Sequence, residues 1–129
     1  MFSVAIIGAG RVFQNRLSEV FLDELSDVAK LTIVCEKNEE KLDQACALMG
    51  ADGEQSIEKV LAKKEIDIVY IATESGNHFA HGYSALEAGK HVIVEKPPAM
   101  LPGQAAVLAE FARNKKLMYS VVLQNRFNP

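Results

Sequence analysis

Four short stretches of this 129-residue chain carry residue types that can do chemistry. The first is Ile7-Gly8-Ala9-Gly10, which follows an apolar, β-branched run and leads into Arg11-Val12-Phe13. Gly8 allows a tight turn out of a strand, and Gly10 lets a pyrophosphate approach the backbone. A helix opening at Arg11 and Val12 then offers its free N–H groups and positive dipole end to the phosphates, with Ala9 part of the same cradle. The full pattern asks for a small residue where Phe13 stands, so a glycine-rich turn without a ligand is the competing reading of these residues alone. The second stretch is Glu36-Lys37. An acid there accepts both ribose hydroxyls of an adenosine and repels a 2′-phosphate, which favours NAD, whereas Lys37 pulls toward NADP. The plain alternative is a solvated acid at a strand end.

The third stretch, Thr73-Glu74-Ser75-Gly76-Asn77-His78, follows one apolar run and precedes an amphipathic one. Ser75 or Asn77 suits a helix N-cap and Gly76 permits unusual backbone. By residue type alone this is a capped loop before it is a cleft lining. The fourth is Glu95-Lys96-Pro97-Pro98. A lysine beside bound nicotinamide hydrogen-bonds a substrate hydroxyl and eases its deprotonation, and burial lowers its pKa toward that task. Glu95 would keep the lysine charged and oriented, and the two prolines hold the exit extended. Without the other three stretches, a charged strand end followed by a turn would win.

The elements that must position these residues alternate along the chain. Strands are predicted at 4–7, 31–35, 66–72, 91–94 and 118–123. Helices are predicted at 11–25, 39–49, 57–62, 77–88 and 101–114, with Gly50 and Gly89 as stops, Ser56 as an N-cap and Pro102 in a first turn. This is the alternation of an α/β, Rossmann-type doubly wound parallel sheet, whose strands are continuous apolar runs because both faces are buried. Ligands bind such sheets at the carboxyl ends of the strands, where all four stretches fall.

Composition narrows the classes. The length fits a single domain with its own core, and 49% hydrophobic with 24% charged residues is ordinary for a globular protein. A net charge of −3 makes no case for nucleic acid or anionic membrane as a partner, and no apolar run reaches membrane-spanning length. Lys37, Lys41, Lys59, Lys63 and Lys64 are interleaved with acids and read as solvated helix faces. Cys35 and Cys46 lack metal-ligand spacing and read as reduced core residues of a cytoplasmic protein.

Together the stretches resemble the N-terminal domain of the glucose–fructose oxidoreductase/inositol dehydrogenase/MocA family (Gfo/Idh/MocA). The resemblance rests on Ile7-Gly8-Ala9-Gly10, Val34-Cys35-Glu36-Lys37-Asn38, Ile71-Ala72-Thr73 with His78, and above all on Ala85-Leu86-Glu87-Ala88-Gly89-Lys90-His91-Val92-Ile93-Val94-Glu95-Lys96-Pro97. It implies an NAD(P)-dependent oxidoreductase acting on a sugar, cyclitol or related polyol. Lys96 is then the catalytic residue, contacting substrate and nicotinamide ribose. Gly8, Ala9, Gly10, Arg11 and Val12 belong to the loop that holds the pyrophosphate, Glu36 with Lys37 binds the adenosine ribose, His78 lines the nicotinamide side of the cleft, and Thr73 and Glu95 are further cofactor-binding residues.

Three departures stand out. Phe13 replaces a small residue, Glu74-Ser75 replaces a common Pro-Asn pair, and the family's second α/β domain, with its catalytic His and Asp, is not within these residues. Residues 1–124 form the dinucleotide-binding domain on this reading, and 125–129, with Arg126-Phe127-Asn128-Pro129, look like the crossover into the second. The tail has some likeness to members acting on nucleotide-linked sugars. The expected function is a cofactor half that binds NAD or NADP, NAD favoured, with little turnover alone. A stand-alone redox-sensing module is the alternative. A scaffold subunit that pairs with another chain, or with itself as a homo-oligomer, ranks third.

Overall fold

A computed structural model describes residues 1–10, 19–96 and 101–122, apart from the side chains of Ser75 and Pro102. Six parallel strands form one sheet: β1 (Phe2–Ile7), β2 (Ala29–Cys35), β3 (Asp52–Glu54), β4 (Ile68–Ile71), β5 (His91–Val94) and β6 (Tyr119–Val121), in the order β3-β2-β1-β4-β5-β6. The described helices are α1 (Glu39–Met49), α2 (Ile57–Leu61), α3 (His78–Glu87) and α4 (Pro102–Asn114). The chain reverses its direction of winding between β1 and β4, and this neighbourhood is where a doubly wound sheet opens a crevice.

Both sheet faces are buried, as the continuous apolar strands require. Ala5, Ile7, Ile33, Cys35, Val69, Ile71, Val92 and Val94 pack under α2, α3 and α4 through Val60, Leu86 and Leu108. Val4, Ile6, Leu31, Val34 and Tyr70 face the other way, toward Phe21 and toward Leu42 and Ala45 of α1. A bulge lies between them in β2: Val4 pairs with Leu31, but Ala5 pairs with Ile33. Thr32 is the extra residue, its hydroxyl 2.7 Å from that of Ser3. The bulge turns Ile33 and Cys35 onto the face of Ala5 and Ile7 and so sets where the end of β2 delivers its side chains.

The local chemistry explains most boundaries. Asn38 caps α1 by accepting the Lys41 N–H at 3.0 Å, and Gly50 ends it in the left-handed region at φ +65°. Ser56 caps α2 by accepting the Lys59 N–H at 3.3 Å. At α3 a 3₁₀ turn over Ser75–Asn77 leads in, and Asn77 stands at the N-cap without a side-chain cap bond.

Several details differ from expectation. β3 was absent from the strand pattern because Asp52-Gly53-Glu54 is polar; it forms by backbone pairing at a sheet edge, and Gly53 admits α1, since a Cβ there would lie 3.0 Å from the Cys46 Sγ. β4 and β6 are shorter than predicted. Within the described part of the predicted helix over 11–25, Val20–Glu24 forms a π turn closed by the Leu25 N–H on the Val20 carbonyl at 2.9 Å. The predicted start of that helix, with Arg11, Val12 and Phe13, lies outside the described residues, as do Pro97, Pro98 and the tail from 123.

A buried lysine ties the sheet's lower end together. Lys90 is 5% exposed and its Nζ donates to the Lys63 carbonyl at 2.6 Å and the Ile66 carbonyl at 2.9 Å, closing the α2–β4 connection against the α3–β5 turn. Burial holds its pKa below the usual lysine value. Lys90→Met keeps much of the stem and strips two carbonyls of their donor, so it is expected to cost about 1–3 kcal/mol in urea unfolding. An unchanged midpoint would show that water replaces the ammonium freely.

Candidate functional site

The glycine turn leaves β1 in a space that admits only glycine. Gly8 has φ +103°, and a Cβ on it would lie 2.6 Å from the Ala72 carbonyl oxygen. The turn is held on both sides. The Gly8 N–H donates to the Cys35 carbonyl at 2.7 Å, and the Ala72 N–H donates to the Ile7 carbonyl at 2.8 Å. Gly10 is the opposite case: among the described residues a Cβ there would meet no atom within 4 Å, and the residue lines an open cleft. One glycine is required by packing, and the other keeps a surface bare for an approaching group.

Glu36 joins the turn from β2. Its Oε1 accepts the Ala9 N–H at 2.9 Å and its Oε2 accepts the Asn38 N–H at 2.9 Å. Each oxygen keeps a further lone pair, so the carboxylate is aimed without being saturated. Around it opens a cleft of about 320 Å³. Gly8 and Gly10 form one wall, Glu36, Lys37 and Lys41 the second, and Thr73, Glu74, Asn77 and His81 the third. Lys41, expected on a solvated helix face, therefore faces this cleft, as does Lys37, expected both among the solvated lysines and at the adenosine ribose, and Gln55 and Ile57 extend it from the end of β3.

The loop after β4 is organised by Thr73. Its carbonyl accepts the His78 Nε2–H at 2.7 Å, and its hydroxyl lies 3.0 Å from the His81 Nδ1. His78 is only 2% exposed and does not line the cleft; it was expected to border the nicotinamide side. Its ring instead supports the loop from beneath, and His81, one turn later, reaches the cleft. That i, i+3 spacing after His78 was the signal available in the sequence. Burial first, then His78 and Lys37, hold the His81 pKa below its ordinary value.

Glu95 and Lys96 point differently from expectation. Glu95 is buried, and its carboxylate accepts the Tyr70 hydroxyl from the neighbouring strand rather than orienting Lys96. Lys96, the next residue, is exposed and is not among the residues lining the cleft. Among the described residues, no cluster of three His, Cys, Asp or Glu side chains is placed to hold a metal, and no helix is long and apolar enough to cross a membrane.

Comparison with known proteins gives this geometry a context. Residues 2–123 match the family model GFO_IDH_MocA, described as an oxidoreductase family with an NAD-binding Rossmann fold. D-glucoside 3-dehydrogenase of Escherichia coli is 34% identical over 128 residues, covering 96% of this chain and 35% of that protein. The WlbA dehydrogenase of Chromobacterium violaceum, solved with NADH and UDP-GlcNAcA, superposes with a TM-score of 0.90 at 33% identity, over 98% of this chain and 36% of that one. Biliverdin reductase of Synechocystis, solved with biliverdin and NADP+, superposes with a TM-score of 0.84 at 32% identity, over 92% and 37%. The chain thus spans little more than a third of the length of these relatives.

Cys35 lines the cleft but is no nucleophile. Burial, and then the carboxylates of Glu54 and Glu36, push its thiol up to about 11. At about pH 8 roughly one such thiol in a thousand is ionised. Iodoacetamide is therefore expected to modify half-buried Cys46 before Cys35, with Cys35 reacting readily only in denaturant. Rapid native alkylation of Cys35, seen by peptide mass, would contradict this environment.

Proposed function

The chain belongs to the Gfo/Idh/MocA oxidoreductase family, and on that premise we propose that it is the cofactor-binding half of an enzyme that moves a hydride between a nicotinamide and a hydroxyl-bearing carbon of a sugar, cyclitol or nucleotide sugar. One observation carries the reading: the Glu36 carboxylate is latched to the glycine turn through the Ala9 N–H, at the mouth of the cleft where the sheet changes direction. The residues present fit a dinucleotide. Gly10 leaves room over the turn, Glu36 keeps acceptor capacity for two ribose hydroxyls, and the cleft is shaped between β1 and β4.

Bound there, a nicotinamide supplies a carbon that accepts or returns hydride. The chain's own part is to place it. The Gly8 and Ala9 N–H groups are held by the Cys35 carbonyl and Glu36, so the turn's part is to fix the backbone and leave Gly10 bare beneath the pyrophosphate, and Arg11 and Val12 supply N–H donors on the family's pattern. Glu36 accepts from the adenosine ribose and disfavours a 2′-phosphate, so NAD is the favoured partner; Lys37 moderates that preference. Thr73 fixes the wall opposite Glu36 and His78 steadies it from below. Lys96, at the end of β5, holds and receives the proton of the substrate hydroxyl, while the Tyr70–Glu95 hydrogen bond fixes the strand end that carries it.

The substrate pocket needs walls beyond those described, and a misplacement of about 1 Å can lower a rate about 100-fold. These residues alone are therefore expected to bind cofactor with little turnover. The exposed position of Lys96, outside the cleft lining, favours the second reading, a dinucleotide-binding or redox-sensing module without catalysis. Dehydrogenase assays on the longest reading frame separate the two.

Titration of the chain with NADH, and with NADPH in parallel, tests the binding claim. Saturable binding is expected, tighter for NADH. Glu36→Ala is expected to weaken NADH roughly 10-fold, the loss of one or two charge-assisted hydrogen bonds. Absence of saturable binding by either dinucleotide would overturn the reading.

A further inference from the structure

His81 is a titratable residue of the cleft to which hydride transfer gives no part. With a ribose at Glu36, the adjoining Lys37 marks the adenosine end; the Gln55 amide donates to the Lys37 carbonyl at 2.8 Å, and Ile57 and His81 line the cleft with them. The same four residues border a second hollow of about 340 Å³ between α2 and α3. His81 thus stands in the partition between the two, its Nδ1 tied to the Thr73 hydroxyl at 3.0 Å.

We infer that His81 is a specificity-determining residue of this cleft: as an imidazolium it places a second cation beside Lys37 and shifts the site from the 2′-hydroxyl toward the 2′-phosphate form of the dinucleotide. The inference rests on the cofactor reading above and concerns which of the two cofactors that site selects.

The charges around the ring set the sign. His78 lies one turn back on α3, and Glu58 comes from α2. Lys37 stands at the end of β2, with Glu36 and Lys41 in the same cleft, and Glu74 comes from the loop after β4. Burial, His78 and Lys37 hold the ring neutral at neutral pH, and Glu58 opposes them. In that state Lys37 faces Glu36 without help, and NAD is favoured. A 2′-phosphate stabilises the imidazolium, so its binding takes up a proton at pH values around and below the ordinary histidine pKa of about 6.5. Affinity for NADPH therefore gains as pH falls, a gain that NADH lacks. The phosphate's own second ionisation, near about 6, works in the opposite direction. A variant without the imidazole retains the phosphate effect alone.

The experiment measures dissociation constants of NADH and NADPH by fluorescence at about pH 8 and about pH 6, for the unaltered chain, His81→Gln and His81→Arg. On acidification the preference of the unaltered chain is expected to move toward NADPH roughly 3-fold or more relative to His81→Gln. His81→Arg is expected to favour NADPH at both pH values. Equal pH dependence in the unaltered chain and His81→Gln, with no gain in His81→Arg, would overturn the inference while NADH binding still stands. Loss of binding by the unaltered chain to both dinucleotides would instead remove the cofactor reading and this inference with it.

Discussion

Everything at the mouth of the sheet depends on how closely β1 and β4 approach each other. The Ala72 carbonyl occupies the space where any side chain at residue 8 would stand, and Gly8 is held in a conformation open to few other residues. From that contact the rest is placed. The Gly8 N–H reaches the end of β2, the Ala9 N–H meets Glu36, and Thr73 begins the opposite wall. The cleft lies where the winding of this all-parallel sheet reverses, between β1 and β4. Its depth is fixed by backbone rather than by adjustable side chains.

This arrangement divides labour between packing and chemistry. The groups that shape the site are backbone N–H groups and carbonyls, which cannot move without disturbing the sheet. The charged side chains lining the cleft are few, Glu36, Lys37, Lys41 and Glu74, and His81 stands beside them in the third wall. Glu36 is fixed by two backbone donors, with the lysines and the histidine ranged around it. Buried polar contacts away from the cleft, Lys90 on two carbonyls and Tyr70 on Glu95, tie neighbouring strands and loops into one frame.

The fold was largely legible in the residues. Long apolar runs, Ser56 as a cap, and Gly50 and Gly89 as stops carry local signals that tertiary structure did not override. β3 was not legible, because Asp52-Gly53-Glu54 has no apolar alternation and pairs only through its backbone. The bulge at Thr32 was hidden for the opposite reason: in a run that is apolar throughout, a one-residue slip leaves no trace. The glycine turn, Glu36 and the loop after β4 were readable as parts of one site. The roles of single side chains were less so. His78 and His81 differ in sequence by one helical turn, and only the packing of α3 decides that the first is buried and the second faces the cleft. Glu95 was expected to serve Lys96, but alternation along β5 turns it toward Tyr70.

The most direct measurement is a crystal structure of the chain grown with NADH. The arrangement of β1, β2 and β4 requires the pyrophosphate over Gly8–Gly10 and the adenosine ribose hydroxyls within hydrogen-bonding distance of Glu36. A dinucleotide bound elsewhere on the sheet, or one seated in the cleft with its ribose turned away from Glu36, would contradict it.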